Sequence, residues 1–63
     1  MVQPGDRIQN ALGHWYDVLE TRAQGFQLRV QPLTPATVEG KETLIPLGPP
    51  LWAGRSDFKY LTD

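Results

Sequence analysis

Six glycines, at positions 5, 13, 25, 40, 48 and 54, cut the chain into strand-length pieces, each ending near a plausible turn. Six prolines sharpen the same punctuation, which suits many short strands better than a bundle of long helices. The clearest pattern lies just after Gly25. Phe26, Leu28 and Val30 alternate with Gln27, Arg29 and Gln31, the period of a half-buried strand.

Other strands are read around that segment. Pro4-Gly5-Asp6 is a turn launching a first strand over 6–10, and Leu12-Gly13-His14 reverses the chain into a second, Trp15 to Arg22. Trp15, Tyr16, Val18 and Leu19 do not alternate cleanly, which predicts either cover on both faces or a β-bulge. Pro32 is expected to stop the third strand, because proline cannot donate to a ladder. Residues 33–41 then read as an exposed loop with at most a short strand around Val38. Residues 43–47 form a fourth, edge-like strand interrupted at Pro46, and Gly48-Pro49-Pro50 makes a stiff turn before Leu51-Trp52-Ala53. Residues 56–61 read either as a helical turn capped by Ser56 or as a closing strand.

A competing pattern crosses the first half. Ile8, Ala11, Leu12, Trp15 and Leu19 fall at helical spacing behind a capping box of Asp6 and Gln9. An N-terminal helix packed on a short sheet is therefore the alternative, opposed by Gly13 in its interior and by the strand preference of Tyr16, Val18 and Thr21. The expected architecture is all-β: one small domain over 1–63, built as an antiparallel barrel of four to five strands, since closure removes exposed edges.

Composition narrows function mainly by exclusion. With no cysteine and one histidine, the chain has neither disulfide staples nor the ligands of a structural zinc site. A small domain without such supports leans on packing or self-association, so a homo-oligomer is one expectation. The net charge of −1 gives no general attraction to nucleic acid. No signal-peptide pattern or membrane-length apolar run occurs, and the chain is expected to be cytoplasmic. His14 is the only histidine and Ser56 the only serine, with no glycine-rich phosphate loop. Asp6, Asp17 and Glu20 read as solvated charges rather than an acid–base pair. The expectation is a non-enzyme with no metal and no cofactor.

The run Pro4-Gly5-Asp6-Arg7-Ile8, then Trp15-Tyr16-Asp17-Val18-Leu19, then Gly25-Phe26-Gln27-Leu28-Arg29-Val30, resembles the opening half of SH3-like small barrels of the Tudor and KOW type. The resemblance covers roughly half the chain and implies a fold more than a ligand. The Gly5-Asp6-Arg7 opening also looks like that of type II dihydrofolate reductases, whose pore motif is Val-Gln-Ile-Tyr. The comparable strand here, Thr43-Leu44-Ile45-Pro46, keeps the isoleucine and lacks the Gln and Tyr, so the activity is not carried over.

Binding is thus the expected function. Trp15, Tyr16, Trp52 and Tyr60 are amphipathic aromatics of the kind enriched at interfaces, and the leading expectation is a module docking a protein segment in an aromatic groove or on a strand edge. Tyr16 and Tyr60 are the better surface candidates by their hydroxyls, while Trp15 and Trp52 are at least as well suited to a core. The alternative is nucleic-acid binding, with Arg22, Arg29, Arg55 and Lys59 on phosphates and an aromatic for stacking.

Overall fold

Leu28 and Val30, the centre of the alternating segment, are 0% exposed, and the sheet is assembled around them. The computed structural model describes residues 2–58 and is all-β: β1 (Arg7–Gln9), β2 (Trp15–Arg22), β3 (Gln27–Val38), β4 (Lys41–Pro46) and β5 (Leu51–Gly54), all paired antiparallel. The strand order is β1-β2-β3-β4, with β5 also on β3. The helical pattern over 6–22 is not realised. Gly13, with φ +87°, turns the chain between β1 and β2 where a helix would have had to continue.

The second strand matches its predicted bounds and carries the bulge its irregular alternation implied. Val18 pairs with Val30 but Glu20 pairs with Arg29, so Leu19 is the extra residue. Without it, Glu20 would follow Val18 onto the buried face at period two. The insertion turns Glu20 out to solvent and leaves Val18 1% exposed.

Three sequence expectations are corrected along β3. Pro32 does not end the strand, which runs for 12 residues through Pro32 and Pro35. The N–H of Leu47 donates to the Pro32 carbonyl, so Pro32 turns its backbone groups away from β2 and toward the end of β4. Pro35 lies one odd step further on, beyond the last β2 pair at Trp15–Leu33, and its nitrogen faces an edge where, among the described residues, no strand asks for a donor. Residues 33–41 are accordingly not a loop but the far half of a hairpin, closed by Glu39-Gly40 between the paired Val38 and Lys41. Phe26 does not share the buried face of Leu28 and Val30. It sits at the end of the turn Ala23–Gly25 and is 67% exposed.

The Glu39-Gly40 turn has φ values of +52° and +78°, the left-handed pair of a type I′ hairpin. Glutamate is a poor resident of that region, whereas asparagine enters it readily. Glu39→Asn is therefore expected to stabilise the fold by up to about 1 kcal/mol. Thermal unfolding followed by circular dichroism should show the midpoint rising; an unchanged or lower midpoint would mean the turn is not strained.

β4 and β5 lie end to end on the same side of β3, separated by the excursion through Gly48-Pro49-Pro50. Gln31 anchors that excursion, its Nε2 donating to the carbonyls of Gly48 at 2.8 Å and Pro32 at 3.0 Å. The core lies at the root: Val2, Ile8, Val18, Leu28, Val30 and Phe58, with Tyr16 and Ala53 packed against it. No described polar or charged residue is buried. Among the described residues the far half of the β3–β4 ribbon has no such cover, and the molecule measures 40 × 21 × 17 Å. A 3-10 turn at Arg55–Asp57 follows β5; the Asp57 carboxylate, rather than Ser56, caps it by accepting the Gly54 N–H at 3.2 Å. The expectation for residues 59–61 falls outside the described residues. No helix among the described residues is long and apolar enough to cross a membrane.

Candidate functional site

β2 starts at Trp15, opposite Leu33, while β3 continues past it to Val38. This step in the sheet leaves a groove of about 330 Å³ lined by Gly13, His14, Trp15 and Tyr16 on one side and by Pro32, Leu33, Thr34, Pro35 and Leu47 on the other. Its walls are an indole, two pyrrolidine rings and two leucines, an apolar lining with a polar rim at His14 and Thr34. The groove opens beside the one stretch of β3 whose β2-facing edge has no partner among the described residues. There the backbone offers the Pro35 carbonyl and both groups of Thr37.

Asn10 builds the lip of the groove. Its Oδ1 accepts the N–H groups of Leu12 at 3.0 Å and His14 at 2.9 Å, and its Nδ2 donates to the Tyr16 hydroxyl at 3.2 Å. The Gly13 N–H donates to the Asn10 carbonyl, and Gln9 Nε2 donates to the Gly13 carbonyl at 3.0 Å. One asparagine thus folds the loop 10–14 and fixes where Trp15 and His14 stand. Sequence reasoning passed over it, although an asparagine three residues before a glycine is an ordinary side-chain-closed turn signal. Pro32, Leu33, Pro35 and Leu47 were also missed, because they enter the site only through the register of β3.

The predicted aromatic site is not one cluster. Trp15 and Tyr16 reach the groove, Trp52 lies elsewhere on β5, and Tyr60 falls outside the described residues. Tyr16, favoured as a surface ring, is half-buried and stands edge-on to Phe58, with ring centroids 5.2 Å apart at 78°. Trp52, which suited a core, is 38% exposed. The guanidinium of Arg22 lies 3.8 Å from the Trp52 ring centroid, and Arg22 Nε also donates to Gln27 Oε1 at 2.7 Å. Arg29 pairs with Trp52 on one side and with Glu20 on the other. Arg22, Arg29 and Trp52 therefore share a face, but one side of the indole is covered and a carboxylate sits across from Arg29. Arg55 belongs to the turn after β5, and Lys59 falls outside the described residues.

The carboxylates have structural occupations. Asp6 Oδ2 accepts the Gln3 N–H at 2.9 Å, and Asp17 holds Arg7 through both oxygens, at 2.8 and 3.3 Å. The hydrogen bond and charge of Asp17 raise the Arg7 pKa. The pair is exposed and screened, and contributes little to stability. It borders a depression of about 680 Å³ over Gly5, Arg7, Asp17, Val18 and Leu19, which is wider and more open than the Trp15 groove and has no aromatic wall. Among the described residues, no group of three or more His, Asp or Glu side chains could hold a metal ion.

No protein-family model matches the chain, and neither a curated protein nor a solved structure matches it.

Proposed function

We propose that this chain is a small SH3-like interaction module that docks an extended segment of another protein in the Trp15 groove. The observation that carries the reading is the coincidence of an apolar groove with a strand edge that is unpaired among the described residues, at the same step of the sheet. Backbone pairing along an edge supplies affinity to an extended ligand, and an adjoining pocket selects its side chain. Here Pro35 removes one donor from the edge, so pairing is short, and the pocket of Trp15, Pro32, Leu33 and Leu47 supplies most of the binding. The partner segment accordingly carries one large apolar residue beside a few extended ones. The SH3-like assignment is supported by the antiparallel β1-β2-β3-β4 meander and by the 3-10 turn late in the chain; among the described residues β1 pairs with β2 alone and no pairing closes the sheet.

Selection of a random peptide library on the immobilised chain tests the proposal. Enriched peptides should share an apolar anchor and should shift the backbone amide resonances of His14, Trp15, Thr34 and Thr37. Trp15→Ala should weaken such a peptide by at least about 30-fold, the loss typical of a central aromatic anchor. Peptides that instead shift residues around Arg29 and Trp52, or no enrichment at all, would refute the groove as the site.

A further inference from the structure

We propose that the outer edge of β4 is a self-complementary interface, through which two copies of this chain pair antiparallel about Leu44. Beyond the Leu33–Pro46 pair the ribbon consists, among the described residues, of β3 and β4 alone, and an isolated two-stranded ribbon is marginal in water. The backbone direction fixed by Leu47 on Pro32 alternates along β4, so Thr43 and Ile45 bond inward to β3 while Glu42, Leu44 and Pro46 turn outward. Among the described residues nothing pairs with that edge.

A two-fold axis at Leu44 satisfies it. Leu44 exchanges both backbone bonds with its counterpart, and each Glu42 N–H meets the carbonyl of the facing Pro46; Pro46 has no N–H to return, so each Glu42 carbonyl stays open to water. Thr43 faces Ile45 of the second copy in the close, non-hydrogen-bonded pairing that favours branched side chains. Lys41 and Glu42 fall opposite Leu47 and Pro46, so no like charges meet. A slip that centres the axis on Thr43 puts Glu42 against Leu44 and sends the Pro46 carbonyl to Gly40 in the turn. The exposed apolar residues agree with the first register: Ile45 is 37% exposed, and Leu47 57%. This symmetry is what selects a second copy over an unrelated partner. Apart from Leu47, which also lines the Trp15 groove, the interface uses the edge opposite that groove, and its test through Leu44 does not depend on peptide binding.

Sedimentation velocity from low to high micromolar concentration should show a monomer–dimer equilibrium. Leu44→Lys and Leu44→Glu, which each place like charges face to face, should each raise the dissociation constant at least about tenfold. An equimolar mixture of the two variants should restore the dimer. Hydrogen exchange on the unaltered chain provides a check that needs no variant: the amides of Glu42 and Leu44 should be protected at high concentration and exchange freely at low. A monomer at every concentration, dimers that survive in both variants, a mixture that stays monomeric, or unprotected Glu42 and Leu44 amides in the dimer would each overturn the proposal.

Discussion

Leu28→Ala is expected to abolish most of the cooperative unfolding transition. Leu28 is 0% exposed near the start of β3, between Thr21 on β2 and Ala53 on β5, and packs in one cluster with Val2, Ile8, Val18, Val30 and Phe58. Truncating a buried leucine to alanine costs about 2–5 kcal/mol, the larger values where the site cannot relax. At about 0.05–0.15 kcal/mol per residue, the 63 residues of this chain have a total stability of roughly 3–9 kcal/mol. One substitution therefore removes about half of the stability or more. Urea unfolding followed by far-ultraviolet circular dichroism should show the midpoint collapsing toward zero denaturant, and a loss below about 1 kcal/mol would contradict the packing described here.

Phe58→Ala should be nearly as damaging, at about 3–5 kcal/mol. Phe58 is 5% exposed, belongs to the same cluster as Ile8, Val18 and Val30, and meets Tyr16 edge-on. The comparison with Tyr16→Phe is informative, because that change keeps the ring against Phe58 and deletes only the hydroxyl bonded to Asn10. It should cost about 1 kcal/mol, the ordinary net value of such a bond. Should Tyr16→Phe prove as harmful as Phe58→Ala, the Asn10 network rather than ring packing would be holding β2 in place.

The contrast between these residues shows which parts of the molecule are legible in the sequence. Leu28 and Val30 announce their burial by simple alternation, and Trp15 to Arg22 can be bounded as a strand because both ends are marked by turn residues. The bulge at Leu19 is readable too, as a defect in period two. Residues 33–41 are misread for a physical reason: the cost of a proline depends on which edge its nitrogen faces. Pro32 and Pro35 are harmless only because of the register with β2 and β4, and no local pattern encodes that register. The Glu39-Gly40 turn is likewise masked by a glutamate where asparagine or aspartate would have signalled a hairpin.

The candidate site divides in the same way. Trp15 is identifiable as an interface-type residue, but its groove is half built by Pro32, Leu33, Pro35 and Leu47, which are brought to it by long-range pairing. Tyr16, the better surface candidate by its hydroxyl, is half-buried, and Trp52, suited to either core or interface, is 38% exposed. The tyrosine hydroxyl finds its partner internally in Asn10, so the ring can be drawn into the core. The Trp52 indole is left on an outer strand, where Arg22 covers one of its sides.

The central claim is that an extended protein segment buries Trp15. It is tested most directly by the fluorescence of Trp15 in a Trp52→Phe background, where it is the sole indole. Titration with a library-selected peptide should shift its emission to shorter wavelength, saturating with the binding isotherm measured by calorimetry. A peptide that binds by calorimetry while leaving Trp15 emission unchanged would contradict the account.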